Sequence, residues 1–447
     1  MQRGQFSSRL AFIFAASGSA VGLGNIWGFP TNAAENGGAA FVLMYFILAF
    51  LLAYPAMMAE LIIGRHTRSN MVTALQAISE SQSAKTVGKF VGIGGMVTAG
   101  LILSFYSIVA GWMLAFMLEP MTSILGLSDL SAWLTEFSLI RNIGFAAIFV
   151  CLTVIIISAG VEQGIEKWSS RLMPSLFVLM IGLIIYVLTQ EGAMEGLKHY
   201  LVPDFSQITS PKLIVSAMGQ AFFSMSLGVG TMLVYGSYIR EDENLPVVGA
   251  LVTLTDTSVA FLAGLLVLPA IFVAQNLGVT IYSDSGSLIA GPDLIFQVLP
   301  ALFQGMGGVT GLLVGFAFFV LMSIAAVTSS ISMLEVPVSY AVEAHKVDRN
   351  KATWLVGLGV FTISSMICLN FDSLFGFVIT MTTERAQPLL SMMVCIFAGW
   401  VFYRNSILQE LKSGNPNVEH GMFWKIWPVY VKFFCPALIL LTFAQGL

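Results

Sequence analysis

The chain has 447 residues, 57% hydrophobic and only 10% charged, which is too little polar surface to coat a soluble domain and points to a polytopic protein of the lipid bilayer. A formal net charge of -4 without any basic stripe excludes nucleic acid as a partner. Cys151, Cys368, Cys395 and Cys435 fall in apolar runs without metal-ligand spacing and read as packing residues, while His66, His199, His345 and His420 are scattered. No nucleophile and base can be paired, so an enzyme is excluded as well.

Apolar runs long enough to cross a membrane, about 20 residues each, occur at 10–33, 39–64, 90–118, 141–160, 169–190, 211–238, 246–275, 305–342, 353–370, 373–402 and 421–446. The predicted fold is all-α with 11 transmembrane helices. Span one follows Arg3 and Arg9; this resembles a signal peptide, but the run continues through Asn25 and Pro30 without a convincing cleavage site. Placing those arginines in the cytoplasm also puts Arg65, Arg68, Lys85, Lys89, Lys167, Arg171, Arg240, Lys346, Arg349, Lys351, Arg404, Lys412 and Lys425 inside. Only Arg141, Lys198 and Lys212 fall outside, so the expected topology is a multi-pass protein of the inner (plasma) membrane, N-terminus cytoplasmic and C-terminus outside.

Span one is interrupted by Gly18-Ser19-Ala20-Val21-Gly22-Leu23-Gly24-Asn25 and span six by Ser224-Met225-Ser226-Leu227-Gly228-Val229-Gly230. A break in mid-bilayer frees backbone N–H and C=O groups, tolerable only where they line a cavity or bind something. Spans one and six begin on opposite faces, which predicts a 5+5 inverted-topology repeat over about 9–190 and 211–402 in one domain covering 1–447, with an extra helix at 421–446. The stretches 191–211 and 276–304 read as outside loops. Glu60, Asp256 and Glu335 are acids inside spans, and Glu384-Arg385 is a charged pair in span ten; intramembrane charges face cavities or counter-charges rather than lipid.

The ordered set Ser17 to Trp27, Phe29-Pro30, Glu35-Asn36-Gly37-Gly38, Ser104-Phe105-Tyr106-Ser107, Gln220-Ala221-Phe222-Phe223-Ser224 and Thr328-Ser329-Ser330 resembles the signature of the neurotransmitter:sodium symporter family, in its bacterial branch with the leucine-transporter-like fold. The resemblance implies two sodium sites. One would use the Ala20 carbonyl, the side chains of Asn25, Ser224 and Asp256, and the substrate's carboxylate; the other would use the carbonyls of Gly18, Val21 and Ala325 and the hydroxyls of Thr328 and Ser329. On residue chemistry alone, adjacent hydroxyls on a helix are more often interhelical hydrogen-bonders than ion ligands. Asp256 stands where a neutral Asn is commonest in the family; it is either a protonated structural acid or the negative charge that makes chloride unnecessary, and the small Ala260 fits the second reading.

For the substrate, the resemblance implies a small amino acid held by Ser19, Ala20, Gly22 and Gly24, with Tyr106 donating to its carboxylate and Phe223 closing over it. Gly22 replaces the Asp of monoamine carriers. Ile102, Val109, Val229 and Met333 would form an apolar side-chain end, with Ser224, Ser226 and Ser329 as polar groups, and Val229 leaves room for an aromatic side chain. The inner gate would comprise Arg3, Phe6, Tyr238 and Glu343. At the outer gate the family's Arg is replaced by Gly28, and Glu384-Arg385 either supplies the missing cation, recognises a polar substrate group, or pairs with itself; burying the Arg alone would cost about 2.5 to 3.5 kcal/mol. Glu60 is expected to accept N–H groups from broken span six, and Glu335 has no assigned role. The implied function is sodium-coupled symport of a neutral, hydrophobic or aromatic amino acid by alternating access. The alternatives are a carrier of another zwitterion, such as a sulfonate or methylated amine, and a transport-inactive sensor or ion channel on the same scaffold.

Overall fold

The computed structural model describes residues 4–202, 208–282, 288–289 and 291–445. Among the described residues, eight helices are long and apolar enough to cross a membrane: Ala39–Thr67, Gln82–Ile124, Leu139–Ser158, Val161–Leu188, Leu245–Asn276, Gly308–His345, Arg349–Leu369 and Met422–Leu441. Span one is the bent pair Arg9–Ala20 and Gly24–Glu35, with 55° between its halves, and span ten is Phe371–Val401. Span six is split into Pro211–Ser224 and Thr231–Gly236, which completes the predicted set among the described residues.

The two breaks fall where the small and polar residues interrupt the apolar pattern. In span one the helix stops at Val21, whose ψ of 109 takes the chain out of helical geometry. In span six Ser226, Gly228 and Gly230 have φ of 52, 81 and 84°, a left-handed region that only glycine enters without penalty, so Ser226 is held there by its surroundings. Span two packs against the second half of span six with backbone touching backbone. A Cβ on Gly64 would lie 2.0 Å from the Leu233 carbonyl oxygen. The contact needs glycine, and small residues at such crossings are the usual means by which membrane helices approach closely.

Several expectations change. The stretch 276–304 is not simply a loop, because Leu294–Val298 and Leu299–Gly305 are helical and bury Leu294, Ile295, Phe296, Leu302 and Phe303. The outside stretch 191–211 holds the helix Ala193–Leu201, and Tyr200 from it reaches the Phe261 carbonyl at 3.0 Å. Arg141 is not a loop charge: it is fully buried, donates to the Leu134 carbonyl from Nε at 3.0 Å and Nη2 at 2.8 Å, and lies 5.0 Å from the Phe137 ring centroid. Span three begins at Gln82 and runs 43 residues, longer than its apolar pattern suggests. All four cysteines are free; Cys151 is exposed and the other three are buried.

Candidate functional site

The break in span one turns its freed groups toward three neighbours. Gly22 N–H donates to Asn25 Oδ1 at 3.0 Å, and Leu23 N–H donates to the Tyr106 hydroxyl at 3.4 Å. On the acceptor side, the Ser329 hydroxyl lies 3.4 Å from the Gly18 carbonyl oxygen, 3.1 Å from that of Ser19 and 3.1 Å from that of Val21. Thr328, one residue earlier on the same helix, donates to the Ala325 carbonyl at 3.0 Å. Gly18, Val21, Ala325, Thr328 and Ser329 are therefore brought together into a cluster of neutral oxygens.

A second cluster surrounds Asp256, which is fully buried on span seven. Asn25 Nδ2 donates to its Oδ1 at 2.7 Å, Ser224 Oγ lies 2.8 Å and 3.0 Å from its two oxygens, and the Tyr45 hydroxyl donates to Oδ2 at 3.0 Å. A buried carboxylate is tolerable when its lone pairs are saturated in this way. Asn25, Ser224 and Asp256 thus meet as the sequence predicted. Tyr45 was missed: it is a phenol in an otherwise apolar run of span two, and nothing in the sequence around it shows that it faces an intramembrane acid. Ser19 joins the two breaks, since its carbonyl accepts from Ser226 Oγ at 3.3 Å and its hydroxyl reaches Ser332 Oγ at 2.7 Å. Glu60 takes the N–H of Gly228 at 2.6 Å and that of Leu233 at 3.2 Å, capping the second half of span six.

A cavity of about 490 Å³ lies above this region. Leu23, Tyr106, Val109 and Phe223 line it at the level of the break, together with Trp27, Phe105, Met218 and Ile379. Ile102, Ser226, Val229 and Met333 are buried and are not among the residues that line it. The expectation for span ten changes too. Glu384 and Arg385 are exposed on the cavity wall, so no burial cost arises, and among the described residues no ion pair joins them to each other or to anything else. They sit on the π-helical turn Thr380–Ala386, of the kind that often marks functional sites. Gly28 faces the side chain of Gln220, whose Nε2 donates to the Gly24 carbonyl at 2.6 Å and whose Oε1 accepts from Asn32 at 3.1 Å.

The opposite end is closed. Phe6 N–H donates to the Tyr238 carbonyl at 3.1 Å, and the two rings lie 6.2 Å apart. The Tyr238 hydroxyl donates to Glu335 at 2.6 Å, Glu335 is bridged by Arg349 at 2.6 Å, and Arg349 Nε reaches the Ile157 carbonyl at 3.0 Å. Glu335, unassigned from the sequence, is thus part of this closure. Glu343 accepts from both the backbone and side-chain nitrogens of Asn70, each at 2.8 Å. The predicted gate residue Arg3 lies outside the described residues.

Comparison with known proteins matches the sodium:neurotransmitter symporter family over residues 3–139 and 137–447. The chain belongs to that family. It is 33% identical over 454 residues to the uncharacterized sodium-dependent transporter YhdH of Bacillus subtilis, an alignment covering 98% of this chain and 96% of the relative. A sodium- and chloride-dependent taurine transporter of Bos taurus is 27% identical over 476 residues, 94% of this chain and 73% of its own length. The crystal structure of MhsT in complex with L-phenylalanine superposes with a TM-score of 0.85 at 35% identity, covering 100% of both chains. As a member of the sodium:neurotransmitter symporter family, the protein is a sodium-dependent transporter rather than an enzyme, with the leucine-transporter-like fold. Among the described residues no cluster of three His, Cys, Asp or Glu side chains could hold a metal ion, and the neutral oxygens at the breaks are the donors a hard monovalent cation prefers.

Proposed function

We propose that the protein couples the uptake of a neutral amino acid with an apolar or aromatic side chain to two sodium ions. The observation that carries this reading is the crowding at Gly22, where a Cβ would lie 2.3 Å from Ser329 Oγ and 2.9 Å from the Tyr106 hydroxyl. Position 22 offers no acidic side chain for a bare amine, and any Cβ there would displace the Ser329 and Tyr106 hydroxyls, which favours a ligand that brings its own carboxylate. Tyr106 and the N–H groups of the unwound segment receive that carboxylate. The lining by Trp27, Phe105, Val109, Met218 and Phe223 favours an apolar side chain.

One sodium ion lies between the Ala20 carbonyl, the side-chain oxygens of Asn25, Ser224 and Asp256, and the substrate carboxylate. The other lies among Gly18, Val21, Ala325, Thr328 and Ser329. Asp256 supplies the compensating charge, so chloride is not required. The end closed by Phe6 and Tyr238 faces the cytoplasm and the cavity faces outward, in the plasma membrane. The test is uptake into proteoliposomes under an inward sodium gradient, with chloride or gluconate outside. Accumulation of labelled L-phenylalanine, L-tryptophan or L-leucine in both anions is expected. Accumulation of taurine or glycine betaine alone would replace the amino acid with another zwitterion, and sodium-dependent binding without accumulation would make the protein a sensor.

A further inference from the structure

Span eleven, Met422–Leu441, carries a lysine halfway along its length. Lys432 is half-buried against span ten, and among the described residues no carboxylate lies within ion-pairing distance of it. The two backbones touch there, since a Cβ on Gly399 would lie 2.6 Å from the Lys432 Cα. Both helices are wound as π turns at this crossing, Phe397–Val401 and Tyr430–Phe434, and the Trp400 indole N–H donates to the Lys432 carbonyl at 3.0 Å. The Lys432 ammonium lies 4.1 Å from the centroid of the Trp400 ring and 5.6 Å from that of Phe433, and both rings are more than half exposed on the outside of the bundle. A lysine within a span is costly unless it is paired or can extend to the membrane interface. Two aromatic rings lessen that cost but bring no negative charge.

A second cation stands where span ten ends. The chain bends by 100° after Val401 into the helix Arg404–Gly414, and the exposed Arg404 lies 5.3 Å from the Trp424 ring. Trp424 is about two turns before Lys432, roughly 12 Å along the helix. The pairs Arg404–Trp424 and Lys432–Trp400 therefore follow one another along the seam between spans ten and eleven. The acids of this region are already engaged, Glu410 with Arg65 and His66 and Glu419 with Lys412. Arg65 also donates to the Glu243 carbonyl, and Glu243 lies 3.8 Å from Arg9, which places the helix Arg404–Gly414 at the Phe6 end of the bundle.

We propose that the seam between spans ten and eleven binds an anionic phospholipid of the leaflet at the Phe6 end, with its phosphate between Lys432 and Arg404 and its acyl chains along Trp400, Phe433 and Phe434. Arg404 offers a guanidinium fork to the phosphate oxygens, and Lys432 reaches toward the same group along its four-carbon stem. A zwitterionic lipid brings a cation of its own that the two basic side chains repel, so the site selects on net charge. The bound phosphate supplies the negative charge that the protein does not give Lys432. Span ten also carries Ile379 and Glu384 to the cavity wall, so a lipid that fixes its Phe6 end steadies the helix on which that wall is built.

The test is competition between phosphatidylglycerol and phosphatidylcholine of the same acyl chains for the purified full-length protein, with retained lipids counted by native mass spectrometry. Wild type should retain phosphatidylglycerol in preference. Lys432→Gln and Arg404→Gln should each cut that preference by about five-fold, the scale of one basic side chain at an anionic surface. Lys432→Arg should keep it, and Lys412→Gln, at a lysine already paired with Glu419, should leave it unchanged. Arg404 is exposed, so its variant reports on the site even if a change at Lys432 prevents folding. Inorganic phosphate should not displace the bound lipid. Displacement by phosphate, with no dependence on acyl chains, would make this a site for the free anion and overturn the lipid assignment. A wild type without preference for phosphatidylglycerol, or a preference that survives both glutamine variants, would overturn the site itself.

Discussion

At the end of the bundle near Phe6, Glu335 and Arg349 are bound to each other, to Tyr238 and to the Ile157 carbonyl, whereas at the other end Glu384 and Arg385 face the cavity without an ionic partner among the described residues. Both pairs are one acid and one arginine. Burial separates them: Glu335 is fully inside and both of its oxygens are engaged, while Glu384 and Arg385 have water access and need no partner. Ionic closure at one end and free charge at the other is the asymmetry expected of a carrier open on one side at a time, and removing partners at either end should shift it.

The largest effect should come from the closed end. Arg349→Ala leaves Glu335 buried and uncompensated, a loss of about 3 to 5 kcal/mol of stability for that conformation. The protein should populate the form open at the Phe6 side, read as faster thiol labelling of a cysteine introduced at Ser237, which is buried beside Tyr238; unchanged labelling in a folded variant would show that the network does not hold the end shut. Next is the region between the two ends. Thr328→Ala with Ser329→Ala removes two hydroxyls from the oxygen cluster, and sodium activation of transport should move to much higher concentration. An unaltered sodium dependence would remove the second ion from this place.

Tyr106→Phe and Tyr238→Phe sharpen the comparison, because each removes one phenolic hydroxyl from one side. Loss of a hydrogen bond to a charged acceptor is worth about 1.5 to 3 kcal/mol. Tyr106→Phe should weaken amino-acid binding by roughly ten-fold or more without altering labelling at the closed end. Tyr238→Phe should raise that labelling and leave equilibrium binding nearly intact. Equal effects of both variants on binding would mean that the two ends are not separable. The smallest expected effect is none: replacing chloride by gluconate should leave uptake unchanged, since a unit charge about 4 Å from an ion is worth roughly 4 kcal/mol at an effective dielectric of about 20, and in the proposed function Asp256 supplies that charge. Asp256→Asn should then weaken sodium binding, and adding Ala260→Ser should make any recovered activity depend on chloride. A wild type that stops transporting without chloride would overturn the role given to Asp256.

Much of the fold was legible because membrane helices are written in long apolar runs, and the breaks because glycine and serine interrupt two of those runs at corresponding places. The grouping of Asn25, Ser224 and Asp256 was implied by the family resemblance. Tyr45 was not, because a tyrosine in an apolar span gives no sign of which neighbour it faces. Arg141 looked like an ordinary loop charge, since nothing local announces that the Leu134 carbonyl and the Phe137 ring will enclose it. The buried helical stretch 294–305 was hidden by the Gly, Asp and Pro residues around its start, which read as loop.

What the residues determined by themselves was the class of the protein, its spans and the two places where helices must open, since backbone groups in a bilayer have no water to turn to and only certain residues allow the exception. What the tertiary structure decided was partnership. Glu335 found Arg349, Glu60 found the N–H groups of Gly228 and Leu233, and Asp256 found Tyr45, while Glu384 and Arg385 found none among the described residues. Those outcomes depend on distances between groups far apart in the chain, and whether a buried charge costs free energy or supplies function depends on what it meets.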